Sequence, residues 1–304
     1  MRMVWIVNPV AGAVGKEQRL RRAIEALPRR EENEILVTAG PGDATRAVRR
    51  WGEEHPGVPV RFVACGGDGT LHEVVNGAVG LENASVTVYP CGSGNDFVKT
   101  FGGAERFLDL QALTQAPGRK IDLLQVGDRY SVNVINFGFD AQVARMVNES
   151  RDRKGYGAKS AYTKGVVRAL ARYMRNEFTV TADGEVLNPE GRGLLCTLGN
   201  AQYVGGSYRC APRARLDDGL MEVCLVRPVS RLRFVRLAGT YARGEHLEDP
   251  RLRDKLVYRR ARKVEVTGPK GFILCLDGEI VERERFTVEV KPQCLELAVP
   301  GSDQ

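Results

Sequence analysis

The chain has 304 residues, 43% hydrophobic and 27% charged, with 34 glycines and 14 prolines, a globular composition that excludes a fibrous or disordered chain. Its seven cysteines are odd in number, widely spaced and never set as Cys-x-x-Cys, which argues against a disulfide framework or structural zinc and for a reducing compartment. The net charge of +7 is concentrated, because residues 145–175 hold nine Lys and Arg against Glu149 and Asp152, while no apolar run approaches the roughly 20 residues of a spanning helix.

In chain order, strands are expected over 3–7, 34–38, 60–65 and 85–89, and helices over 16–27, 43–55 and 70–79. Asn8-Pro9, Gly40-Pro41-Gly42, Pro56-Gly57, Gly66-Gly67 and Pro90 mark the turns between them. The run 3–7 is cut at once by Asn8-Pro9 and followed by Lys16, so it reads as a strand and not as a signal peptide. Strand and helix in alternation predict an open parallel sheet. From about residue 120 the pattern changes to β-type runs over 121–126, 130–137, 178–182, 194–198, 221–226, 263–267, 272–276, 286–290 and 295–299, with helical patterns at 140–148, 158–174 and 231–242. Short strands with few helices predict an antiparallel sandwich or barrel-like second domain. The expected organisation is an α/β domain over 1–120 and a β-rich domain over 121–304, with the extreme C-terminus able to pack back on the first.

The strongest motif is Cys65-Gly66-Gly67-Asp68-Gly69-Thr70, set between an apolar strand and a helix expected to begin at Thr70 with that residue as N-cap. Glycines let the backbone turn and approach a ligand, and free amides at a helix start hold phosphate oxygens. Asp68 is placed to hold Mg²⁺ or to take a hydroxyl proton. Pro90-Cys91-Gly92-Ser93-Gly94-Asn95-Asp96-Phe97 repeats this logic one strand later, and Asn8-Pro9-Val10-Ala11-Gly12 follows the first strand. In a parallel sheet all three loops leave the same edge and line a shared crevice. Asp277-Gly278 and Asp217-Asp218-Gly219 read first as turns. The histidines His55, His72 and His246 lack partners at metal or triad spacing.

In order and spacing, Asn8-Pro9-x-x-Gly12, Gly66-Gly67-Asp68-Gly69-Thr70 and Gly92-Ser93-Gly94-Asn95-Asp96-Phe97 resemble the diacylglycerol-kinase catalytic domain of bacterial lipid kinases. The resemblance continues through Leu216-Asp217-Asp218-Gly219-Leu220 and Leu276-Asp277-Gly278-Glu279, and so covers nearly the whole chain. It implies ATP in a cleft between the two domains, on Thr38, Gly66, Gly67, Asp68, Gly69, Thr70, Leu71, His72 and Ser93, with the loop residues Asn8 and Asn95 beside them. The family often has Thr where this chain has Ser93, and both keep the hydroxyl. Glu279 falls on the proton acceptor of the family, whereas related sphingosine kinases use the glycine-loop aspartate, here Asp68, so the base stays open between the two. A regulatory Mg²⁺ is implied on the Asp218 side chain and the carbonyls of Arg215 and Leu220.

The expectation is therefore an ATP- and Mg²⁺-dependent lipid kinase, with diacylglycerol as acceptor and phosphatidic acid as product, and with a sphingoid or ceramide acceptor as the alternative. NAD kinases share Gly-Gly-Asp-Gly-Thr but would lack Gly-Ser-Gly-Asn-Asp-Phe and the Asp-Gly-Glu turn. A nucleic-acid partner is not expected, because no helix-turn-helix or RNP-type pattern accompanies the basic stretch. That stretch, with Lys159, Lys164 and Arg168 toward one side of a helix, is the expected contact with an anionic membrane surface, which makes the enzyme cytoplasmic and peripherally bound. A homodimer is left open.

Overall fold

The computed structural model describes residues 1–12, 15–153, 158–206 and 208–301, the side chains of 30, 150–153 and 158–164 apart. The chain forms two units, Met1–Leu123 with Pro292–Gln304, and Leu124–Lys291.

The first unit is built from β1 (Arg2–Val7), α1 (Lys16–Glu25), β2 (Asn33–Val37), α2 (Asp43–Glu54), β3 (Val60–Gly66), α3 (Asp68–Ala78), β4 (Ala84–Pro90) and the short helices α4 (Asp96–Lys99) and α5 (Leu110–Gln115). The strands pair in parallel in the order β2-β1-β3-β4, with Trp5 opposite both Ile35 and Val63. Strand β3 is buried along its whole length, as a parallel strand covered on both faces must be. Helix α2 buries Ala44, Val48 and Trp51, one stripe at i, i+4 and i+7. At the far edge Glu296 and Leu297 run parallel to Ser85 and Val86 of β4. Helix α3 begins at Asp68, not at Thr70. Its N-cap is Gly67 in an extended conformation, with no side-chain cap. Thr70 is drawn inward over Gly66, where a Cβ would lie 2.1 Å from its Oγ1, so its hydroxyl is not free to cap the helix.

The second unit contains the end of β5 (Gly118–Val126), then β6 (Arg129–Ser131), β7 (Val134–Gly138), α6 (Phe139–Arg153), α7 (Ala158–Arg172), β8 (Asn176–Glu177), β9 (Thr179–Ala182), β10 (Glu185–Val186), β11 (Arg192–Gly193), β12 (Leu195–Gly199), β13 (Met221–Val226), α8 (Arg231–Ala242), β14 (Leu256–Ala261), β15 (Lys263–Thr267), β16 (Ile273–Leu276), β17 (Glu279–Glu282) and the first part of β18 (Arg285–Ala298). An antiparallel sheet runs β14-β13-β12-β7-β16-β17, and a second joins β10, β9, β15 and β18. Their shared core centres on Phe137, whose ring lies 5.2 Å from Phe178, 5.8 Å from Phe272 and 5.7 Å from Phe286, all near edge-to-face. Alternate residues serve the other face: Leu195 and Val226 pack with Phe139, Val143 and Ala169 of the helices. This is the sandwich predicted from the β-rich pattern. All seven cysteines are free thiols and six are buried.

Two strand expectations are corrected. The run 130–137 is broken into β6 and β7, because the buried Asp277 carboxylate draws the backbone between them away from the ladder. Its Oδ1 accepts from Ser131 Oγ at 2.6 Å and from the N–H of Asn133 and Val134 at 3.0 Å, and its Oδ2 accepts from Val132 N–H at 3.0 Å. The runs 286–290 and 295–299 are one strand, β18, which leaves the second unit at Pro292. Replacing Asp277 by Ala strands three backbone donors, at about 1–3 kcal/mol each. Urea unfolding is expected to show a loss of at least about 3 kcal/mol for Asp277→Ala and a smaller one for Asp277→Asn, which keeps one acceptor.

Candidate functional site: a glycine cradle

The register of β3 and β4 sets Gly66 opposite Pro90, so the loops that follow leave the sheet side by side. Gly66 O accepts from the N–H of Cys91 at 2.8 Å and of Gly92 at 3.2 Å. Beyond this the two backbones touch, since a Cβ built on Gly92 would lie 2.5 Å from the Gly67 Cα. No side chain fits there. Asp68 Oδ1 reaches across to accept from the N–H of Asp96 at 2.7 Å and of Phe97 at 3.3 Å, which caps α4. The first loop joins them through Asn8, whose Nδ2 donates to Thr70 Oγ1 at 3.1 Å, and through Gly12, whose Cβ position is 3.0 Å from Cys91 O. The three loops expected on one edge therefore do converge.

The electrostatics of this cradle are unusual. Burial, and secondarily the Asp96 carboxylate, push the Asp68 carboxyl up to about 6. Asp96 is itself buried, and its Oδ1 accepts from Lys99 Nζ at 2.6 Å. Both carboxylates flank Gly94, whose Cβ position lies 2.9 Å from Asp68 Oδ2 and 3.7 Å from Asp96 Oδ2. Asn95 sits in the left-handed region at φ 48°, donates to Gly92 O, and leaves its buried Oδ1 without a partner. Gly69 is partly exposed and Ser93 exposed, whereas the side chains of Leu71 and His72 on α3 are buried. Thr38 is buried and bonds Val7 O through both its N–H and its hydroxyl.

Two residues that shape these loops were not singled out from the sequence. Asp96 is one. Glu73 is the other: its carboxylate accepts from the N–H of Gly42 at 2.7 Å and of Ala44 at 3.0 Å, and so fixes the loop that carries Thr38. The available signal was an acid at the third position after Thr70, among residues of α3 that are otherwise buried.

In the second unit Glu279 is exposed at the start of β17, directly after a two-residue turn in which Asp277 and Gly278 both have positive φ. Asp218 Oδ1 accepts from Leu220 N–H at 3.1 Å and Oδ2 pairs with Arg260, while Arg215 pairs with Asp217 at 3.6 Å. Among the described residues no cluster of three or more His, Cys, Asp or Glu is placed to hold a metal. Lys159 and Lys164 lie outside the residues whose side chains are described; Arg168 is exposed on α7. A cavity of about 70 Å³, lined among others by Asp140, Val166, Leu194, Phe234, Leu237 and Tyr241, opens between the helices and the sheet. The buried Asp140 Oδ2 has no hydrogen-bond partner among the described residues, and burial pushes the carboxyl up to about 7. Among the described residues no helix is long and apolar enough to cross a membrane.

The first unit thus carries convergent glycine loops on one edge of a parallel α/β sheet, and the other unit is an antiparallel sandwich. Residues 2–126 match the diacylglycerol kinase catalytic domain, and residues 133–299 match the YegS C-terminal NAD kinase beta sandwich-like domain. The diacylglycerol kinase of Bacillus subtilis (strain 168) is 30% identical over 278 residues, which span 90% of this chain and 88% of that one. A protein of Chromohalobacter salexigens named "Probable lipid kinase YegS-like" is 32% identical over 296 residues, 94% of this chain and 91% of that one. The crystal structure of a diacylglycerol kinase from Bacillus anthracis superposes with a TM-score of 0.72 at 20% identity, over 99% of this chain and 97% of the other, and supports the fold. The chain belongs to this family of diacylglycerol and YegS-like lipid kinases, and is a lipid kinase.

Asp140 provides a test of the electrostatics. A carboxyl whose folded-state pKa is raised from 3.8 to about 7 holds its proton more tightly in the native state. Its neutral form is tolerated at low pH, and stability is lost as pH rises between about 4 and 7. Asp140→Asn removes that loss. Thermal unfolding is expected to show parent and variant alike near pH 4 and the variant several degrees more stable at pH 8.

Proposed function

We propose that the protein transfers the γ-phosphoryl group of ATP to a lipid hydroxyl, with diacylglycerol as the favoured acceptor and phosphatidic acid as the product. The observation that carries this reading is the contact of Gly67 with Gly92, which brings two backbone segments together beside the start of α3. A triphosphate needs such a surface, because phosphoryl transfer depends on positioning and charge neutralisation more than on covalent help. The N–H groups of Asp68, Gly69 and Thr70 head α3 and face no earlier turn, which suits them to phosphate oxygens. Asn8 and Thr70 tie the first loop to this edge, and Thr38, Ser93 and Asn95 complete the nucleotide contacts.

Hard oxygen donors suit Mg²⁺, and Asp68, Asp96 and the unpartnered Asn95 Oδ1 supply them. Bound there, the ion would neutralise charge on the triphosphate. The second site, on Asp218 with the carbonyls of Arg215 and Leu220, fits less well, because both Asp218 oxygens are already engaged and a cation would displace Arg260. The hydroxyl proton goes to Glu279 or to Asp68. Asp68 accepts two N–H bonds through Oδ1 and keeps Oδ2 for this work.

Incubation with labelled ATP and a panel of diacylglycerol, ceramide and sphingosine tests the acceptor: labelled phosphatidic acid is expected, and label in ceramide or sphingosine alone would replace diacylglycerol. Asp68→Asn keeps the Oδ1 acceptor for α4, so the fold should survive while turnover falls on the order of 10²-fold or more. Glu279→Gln should lower the rate without weakening ATP binding, since a general base acts in the transition state. Loss of ATP affinity in step with rate would make Glu279 a nucleotide contact.

A further inference from the structure

We infer that Arg260 takes the place of the regulatory Mg²⁺ that the family resemblance implies at Asp218, so that this turn is charge-balanced from within the chain and holds no ion. The turn Asp217-Asp218-Gly219 leads straight into β13, and Asp218 spends Oδ1 on the N–H of Leu220 at 3.1 Å, an aspartate bonding its own backbone two residues on. Its Oδ2 accepts from Arg260 Nη2. The sheet places this partner. Arg260 lies on β14 directly opposite Glu222 of β13, and residues opposite one another in an antiparallel pair project from the same face. Glu222 is buried, accepts from Tyr258 Oη at 3.0 Å through Oε1, and has no hydrogen-bond partner at Oε2 among the described residues. The Arg260 guanidinium therefore serves two carboxylates, one by direct contact and one across the strand pair, which is the task a divalent cation would have here.

A divalent ion would meet the wrong surroundings at this turn. Mg²⁺ demands a near-octahedral set of about six oxygens. The acids that could add to Asp218 are engaged, since Asp217 pairs with Arg215 at 3.6 Å and Glu222 is held by Tyr258. An ion on Asp218 Oδ2 would have to displace Arg260, whose backbone is fixed by the β13–β14 ladder. The displaced guanidinium would then repel the ion at close range and leave the buried Glu222 without its counter-charge. Arg213, just before the turn, adds a further cation: it pairs with Glu248 and lies over the Tyr258 ring at 5.6 Å. Arginine also suits the task chemically, because its planar fork matches a carboxylate and stays charged at any working pH. An ion comes and goes with its concentration, whereas Arg260 is present whenever the chain is folded. Divalent dependence is then confined to the ion that accompanies the nucleotide.

The test counts ions on the full chain without nucleotide, by Mn²⁺ titration followed with electron paramagnetic resonance, so its outcome does not depend on catalysis. Parent and Asp218→Asn should bind equal numbers of Mn²⁺, because no ion rests on Asp218. Arg260→Gln should gain about one ion per chain, and lose it again when Asp218→Asn is added. Without metal Arg260→Gln should unfold at a lower temperature than the parent, and millimolar Mg²⁺ should restore part of that loss through the new site. If Arg260→Gln does not fold, the comparison of parent with Asp218→Asn decides alone. Fewer Mn²⁺ on Asp218→Asn than on the parent, or a folded Arg260→Gln that gains no ion, would overturn the inference. A chain that labels no lipid yet binds ions in the expected numbers would overturn the kinase reading and leave the role of Arg260 standing.

Discussion

The first unit depends on one carboxylate. Asp68 Oδ1 takes the N–H groups of Asp96 and Phe97 and so fastens the loop after β3 to the loop after β4, over a backbone contact that only glycine permits at positions 67 and 92. The sheet register brings the two loops level, but registry alone would leave them free to separate. The bond that closes them has a cost. Asp68 is desolvated next to a second acid, and Lys99 offsets part of the repulsion. A group held in that state responds strongly to a cation or a proton, which links the packing of the cradle directly to its chemistry.

Much of this was legible in the sequence, for physical reasons. Apolar β-branched runs between Gly and Pro signals have few solutions other than buried parallel strands, and glycines clustered after strands mark close backbone approach. What could not be read was where carboxylates reach. Thr70 looks like a cap because caps are short hydroxyl residues at helix starts, but Gly66 leaves a hollow beneath it that the Thr70 side chain fills. Arg61, the one charged residue of β3, is buried, with Nε bonded to Ser85 Oγ and Nη1 to Leu113 O, partners 24 and 52 residues away. Such pairings have no local signal.

Asp277 shows the same limit in the second unit. Asp-Gly between β runs is a strong turn signal, and the turn is there. The signal is silent about the side chain, which reaches more than 140 residues back to hold the segment between β6 and β7. One residue thus shapes the turn that presents Glu279 and breaks a strand elsewhere. A substitution there would act on both at once.

A common device underlies these cases: acids accepting backbone N–H groups set the loops, as Glu73 does for Gly42 and Ala44, Asp183 for Arg262 and Lys263, and Asp122 for Gln293. Charge-assisted bonds of this kind are stronger than neutral ones, and they also decide where an anion can bind. Helices α2 and α3 both begin on the edge of the first unit that carries the glycine loops, and both offer N-terminal donors. At α2 the Glu73 carboxylate already occupies the Gly42 and Ala44 donors, so negative charge is in place and a phosphate would be repelled. At α3 the nearest acid, Asp68, is turned away toward Asp96 and Phe97, and the first-turn donors stay clear of it. The same carboxylate that closes the two loops therefore leaves the first-turn N–H groups of α3 untouched, whereas those of α2 are already taken by Glu73.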